Sequence, residues 1–377
     1  MAKTYSWHPG SDRVVSTWAV SVPILFDEII SSWLVRAALT QGCDPLVLTG
    51  ELWPKWRVWT IDIDRSIPEE RLKTLCVISG ISAEIFHSAM LYPIIQQIYR
   101  GSPPVKAVWP WILSLGKRNT KLRSGLQYCP SCLAEDNNPY YRIQWRFAWH
   151  TGCETHQCRL HDCCWHCGAP IEPHRLLAEN QTVSICASCK VDLGRADTIS
   201  WKDEAKSFQL ETDRILQGEC GVYLGESISS HHWFELASFF ESFIRRVNRN
   251  GDEKLLGFIN EIGIVLPEHI PIMAGAGIEW LNVQMRECLL GAVWRFLTVD
   301  KDRFLQAMKT ADLSRQGLCT RKESVPDLLS GIIDGLPDHS VTRTKSQKTH
   351  LSGPRPRHEV IRMMKRLERK LALLKNE

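Results

Sequence analysis

Between Cys129 and Cys189 the chain sets out eight metal-type ligands in two consecutive blocks, and no other feature narrows its possible folds as much. The first block reads Cys129-x2-Cys132, twenty residues, then Cys153-x2-His156; the second reads Cys164-x2-Cys167, eighteen residues, then Cys186-x2-Cys189. A two-residue gap lets one tight turn present both ligand atoms to a single ion, and two such turns joined by a hairpin complete a tetrahedron. Zn²⁺ suits closed thiolate and imidazole tetrahedra, so two zinc ribbons are expected. Four protein ligands leave no position for water or substrate, which makes both sites structural. Binding of this kind supplies roughly 10 kcal/mol to folding. A disulfide framework is the rival reading, disfavoured because no secretory signal is recognisable and the other cysteines are scattered singly. Cys158, His161, Cys163, His166 and His174 lie close in sequence, and each remains an alternative ligand at this point.

The residues around the ligands carry a resemblance. Tyr128-Cys-Pro-Ser-Cys-Leu-Ala-Glu-Asp136, Pro139-Tyr-Tyr-Arg-Ile-Gln-Trp145 and Cys153-x2-His156 running into Cys164-x2-Cys167-Gly168 resemble the TniQ family, target-selection proteins of transposons related to TnsD. A second patch, Pro23 and Glu28-Ile-Ile-Ser-Ser-Trp-Leu-Val-Arg36 closed by Gly42, is similar to that family's N-terminal signature. Ile29 stands where the family usually has Ser. The two patches span about the first half of the chain. The resemblance implies a recognition protein with two structural zinc ions, in one of two modes. In one, an adaptor sits on Cascade subunits with their guide RNA and recruits the transposon AAA+ regulator (TnsC-like), so that target DNA is reached indirectly. In the other, a TnsD-like protein reads an attachment site itself. Members tied to CRISPR complexes are compact and near this length, and they act as homodimers.

Charge separates these modes. The net charge is +4, yet residues 341–377 hold eleven Lys/Arg against three Glu, a surplus of eight that leaves −4 on the rest. A duplex reader carries its basic stripe on the folded part. A hydrophobic content of 44% suits a globular chain, and no apolar run reaches the ~20 residues of a membrane span. A reducing cytoplasm and no membrane partner are expected. Of fifteen tryptophans, seven cluster around 53–59, 109–111 and 145–149, where core and ribbon packing is their expected role.

The expected fold is mainly α with small zinc-ribbon β elements: an extended arm (1–22), an N-terminal helix-turn-helix-type domain (23–124), tandem zinc ribbons (125–200), a C-terminal helical domain (201–336), and a basic linker with a terminal helix (337–377). Apolar spacing predicts an amphipathic helix over 24–41. Ser66 with Glu69 reads as a capping box, Ser79-Gly80-Ile81 as a turn, and Ser82 as the start of a second helix offering Glu84, His87 and Ser88 but no cation. Helices are expected over 204–217, 232–247, 254–262, 280–297 and 303–309, and a basic amphipathic one over 357–374. Lys117, Arg118, Lys121 and Arg123 form a basic run, with Arg142 and Arg146 extending it, as the candidate contact to nucleic-acid backbone. Arg245, Arg246 and Arg249 read as surface residues matched to a helix C-terminus. No Gly-rich phosphate loop and no nucleophile–base signature is present in the sequence, so no catalytic residue is expected.

Overall fold

The computed structural model describes residues 18–101, 103, 108–115, 125–266, 277–319, 325–337 and 364. The chain divides into two units, Met1–Pro337 and Asp338–Glu377. Most of the 1–22 arm, the linker after 337 and the terminal helix over 357–374 lie outside the described residues, Met364 excepted.

The architecture is mostly helical with two small antiparallel hairpins. The N-terminal part runs α1 (Ile30–Thr40), α2 (Pro45–Leu52), α3 (Glu69–Ser79), α4 (Ala83–Ser88) and α5 (Tyr92–Ile98). The ribbon block adds α6 (Pro130–Glu135) and a hairpin of β1 (Gly152–Cys153) with β2 (Cys158–Arg159). The C-terminal part comprises α7 (Asp203–Leu216), a hairpin of β3 (Gly221–Tyr223) with β4 (Glu226–Ile228), α8 (Ser230–Asn250), α9 (Glu253–Ile262), α10 (Val283–Leu297), α11 (Lys301–Thr310), α12 (Arg315–Leu318) and α13 (Asp327–Asp334).

The first helix starts six residues later than its apolar spacing predicts. Asp27 adopts φ +57. The backbone of 27–29 then pairs across to the ribbon: Ile29 N donates to Tyr141 O at 3.1 Å and Ile143 N to Asp27 O at 2.7 Å. Residues engaged outward in this way cannot join a helical ladder. The side chains of the N-terminal signature fold inward. Glu28, buried, accepts from Ser32 Oγ (2.9 Å) and twice from Arg36 (2.7 Å each), while Ser32 Oγ accepts from Tyr141 N at 2.9 Å. Trp33 donates Nε1 to Val22 O and packs edge-on to Phe86. The two sequence patches are thus hydrogen-bonded to each other.

Over 66–90, α3 begins at Glu69 after Pro68, with no side-chain cap, so the expected Ser66 capping box does not form. Gly80 turns the chain at φ +73, a backbone that favours glycine. The following α4 is only six residues long. It buries Phe86 and leaves Glu84, Ile85, His87 and Ser88 exposed.

Three apolar cores follow. One joins α1–α4 around Trp33, Leu34, Leu75 and Phe86. One lies within the ribbon block around Tyr128, Tyr141, Trp145 and Leu160. The third unites Leu91, Ile95, Ile98, Trp109, Trp111–Leu113 and Phe147–Trp149 with α7–α13, where Phe240 stacks on Phe296 at 4.6 Å. Most of the tryptophans are in these cores, as their clustering predicts; Trp165 is exposed. Arg246 is buried, with its guanidinium donating to Gly317 O and Leu318 O, a correction to its expected surface position. No helix among the described residues is long and apolar enough to cross a membrane.

Candidate metal centres

In the first block Cys129 is the N-cap of α6 and Pro130 its first residue, which swings Cys132 back one turn toward Cys129. The β1–β2 hairpin brings Cys153 and His156 to the same place. The ligand atoms of Cys129, Cys132, Cys153 and His156 all lie within 4.8 Å of one another. His156 Nδ1 stands 3.5, 3.3 and 3.5 Å from the sulfurs of Cys129, Cys132 and Cys153, and Cys132 Sγ lies 3.6 Å from Cys153 Sγ. A regular tetrahedron with Zn–S of about 2.3 Å and Zn–N of about 2.0–2.1 Å has edges of roughly 3.5–3.8 Å. The residues therefore fit such an ion. His156 Nε2 meets Glu135 Oε2 at 3.0 Å, which turns Nδ1 inward as the lone-pair atom. Thiols of Cys132, Cys153 and Cys158 lower the pKa of Cys129.

The second block assembles in the same way. Cys164, Cys167, Cys186 and Cys189 lie within 4.8 Å of one another, with Cys164–Cys189 at 3.6 Å and Cys167–Cys186 at 3.8 Å. The alternatives left open by sequence stand aside. Cys158 touches Cys129 alone of the first set, at 3.7 Å, as its cross-strand position opposite Cys153 dictates. His161 binds Asp197 O, and His174 stacks on Trp59 at 5.1 Å.

The surroundings of the two clusters differ. The chain through the first is clamped by two helices. Gln209 of α7 accepts from Thr151 N at 2.9 Å and donates to Gly152 O at 3.1 Å. Arg286 of α10, fully buried, donates to Ala148 O at 2.7 Å, His150 O at 3.3 Å and Gln127 Oε1 at 2.7 Å. Val283 N donates to Asp162 Oδ2 at 2.9 Å. A Cβ on Gly152 would stand 2.0 Å from the Trp201 ring, so only glycine admits that tryptophan. The second cluster is open: Cys167 is exposed, beside exposed Trp165 and His166.

Residues 19–160 match the TniQ family model. Over that segment the chain is similar to the TniQ family. Its members select targets for transposition. The matched segment contains the whole first cluster and none of the second. No curated protein matches the chain.

The basic candidates fare differently from the cysteines. Lys117, Arg118, Lys121 and Arg123 lie outside the described residues. Arg146 is fully buried, where Asp62, Asp64 and Leu113 O hold its two terminal nitrogens, so it extends no surface patch. Burial pushes the Asp64 carboxyl up to about 6 against the pull of Arg146, and Ser31 donates to both its oxygens. Arg142 is held by Asp136 in a two-pronged pair (3.0 and 3.1 Å) and lies over Tyr140 and Trp145, which also removes it from the expected patch. Sequence reasoning missed Glu135, Gln209 and Arg286. Glu135 sits three residues after Cys132 on the same short helix, a signal within reach; the other two give none, because their partners, mostly backbone groups, are distant in sequence.

Proposed function

We propose that this protein is a TniQ-family, non-catalytic targeting adaptor with two structural zinc ions. It docks on Cascade subunits carrying a guide RNA and recruits the transposon AAA+ regulator, so that base pairing supplies sequence specificity. In this reading it acts as a homodimer and meets target DNA indirectly. The observation that carries it is the helix where a direct reader would present its base contacts. α4 is six residues long, carries neither Lys nor Arg, and exposes Glu84 toward what would be phosphate oxygens. The inward commitment of Arg142 and Arg146 supports the same reading. Zinc is favoured over redox metals by the two donor sets, three thiols with one imidazole and four thiols, and by their tetrahedral spacing.

The test is co-expression of tagged protein with Cascade subunits and a guide RNA from the same locus. Stoichiometric co-purification that survives nuclease and moderate salt is the expected result. Absence of association, with nanomolar footprinting on a specific duplex in the same buffer, would turn the reading to a TnsD-like direct binder.

A further inference from the structure

The first cluster has a fifth sulfur beside its four ligands. β1 and β2 pair antiparallel with Cys153 opposite Cys158, and residues opposite each other send their side chains to one face of a hairpin. The pairing that turns Cys153 to the ligand set therefore brings Cys158 alongside it. The far edge of β2 is fixed as well: Arg159 N donates to Ile199 O at 2.8 Å, and Cys158 bridges to Ser200. On β1, Trp201 fills the space a side chain at Gly152 would take and donates Nε1 to Thr151 Oγ1 at 3.1 Å. This framework buries Cys158 and leaves its thiol little room to turn elsewhere. Its sulfur stands 3.7 Å from Cys129 Sγ, within reach of an S–H···S bond. Contact with Cys129 and then burial raise the Cys158 pKa, so the proton stays on Cys158. Cys129, deprotonated when it holds a metal, can only accept.

Three thiolates and one imidazole around Zn²⁺ carry a net negative charge, and here all three ligand sulfurs are buried. Burial makes such a charge costly unless donors are aimed at the atoms that bear it. We propose that Cys158 is a positioning residue of the first metal centre: it stays outside the coordination sphere, and its S–H donates to Cys129 Sγ, stabilising that thiolate and holding it toward the ion. The inference rests on the reading of this cluster as a zinc site. It gives Cys129 the kind of partner that Glu135 gives His156, so two of the four ligands are held from behind by side chains of the ribbon itself.

The test uses the full chain carrying Cys167→Ser, in which the first centre is read alone, with Co²⁺ as the spectroscopic stand-in for Zn²⁺. Taking a donor away from a thiolate raises the energy of its lone pairs. The sulfur-to-cobalt charge-transfer band should therefore move to longer wavelength in Cys158→Ala and Cys158→Val. Both should also weaken metal binding about tenfold or more in a chelator competition, as loss of a partner to a metal ligand does. Cys158→Ser keeps a donor in the same place and should bring band and affinity back near those of the parent. An unchanged band and affinity in Cys158→Ala and Cys158→Val would make Cys158 a filler of the core and overturn the proposal. So would a Cys158→Ser chain as impaired as Cys158→Ala, including the case in which neither takes up metal. A parent chain that binds no Co²⁺ fails the zinc reading itself and this proposal with it, before any change at Cys158 is made.

Discussion

Two clusters built on nearly the same spacing occupy different mechanical positions. The first lies where three parts of the chain converge. Glu28 and Asp27 bridge to Arg142 and Ile143, α7 grips Thr151 and Gly152 through Gln209, and α10 grips 148–150 through Arg286. The second shares the ribbon core through Cys164 and Cys186 but leaves Cys167 in solvent. Spacing in sequence therefore specifies that an ion can be held; the burial of what surrounds it specifies how far its loss is felt.

The largest expected effect breaks this comparison most openly. Cys153→Ser should forfeit the first metal and, with it, on the order of 10 kcal/mol, comparable to the whole stability of a domain, so the variant should fail to fold. Cys167→Ser should lose one metal per chain yet keep its helical circular dichroism. Equal damage from the two would erase the distinction.

Arg286→Met probes the connection rather than the ligand. It strips donors from two buried carbonyls and Gln127, and should cost about 3 kcal/mol in a urea titration while both metals stay bound.

His174 tests the opposite side, where the second block touches the N-terminal helices. Burial, with Arg175 adding to it, holds its pKa down at about 4. A folded pKa below the unfolded one contributes stability that is complete above about pH 6.5 and lost as pH falls toward 4, on the order of 2–3 kcal/mol. His174→Phe keeps the ring against Trp59 and should flatten that part of the pH dependence. Acid loss of metal is common to both proteins, so the difference between their pH–stability curves is the quantity to read.

Trp165→Ala is the smallest. The side chain is exposed and gives Nε1 to Asp192 O, so thermal unfolding should shift by less than about 1 kcal/mol.

Much of this was legible in the chain. Cys-x2-Cys and Cys-x2-His pairs report ligand geometry directly, because the turn that joins them is local. The helices after 201 were legible because their apolar faces repeat at helical spacing, as with Leu236, Phe240 and Phe243 on α8. The β3–β4 hairpin was not, since its turn uses Leu224 at φ +49 in place of the usual Asn or Asp before Gly225. Nor was the start of α1, which is set by hydrogen bonds to Tyr141 more than a hundred residues away. Arg146 misled for the same reason: a cation near a basic run reads as surface until Asp62 and Asp64 are seen to surround it.

Hydrogen exchange during graded chelation tests the central claim most directly. The second cluster should release its metal first, with exchange rising across 164–195 alone. Loss of the remaining metal should then deprotect α1, α7 and α10 together. Protection of α7 and α10 that persists after both metals are gone, or release of the first cluster ahead of the second, would contradict the account.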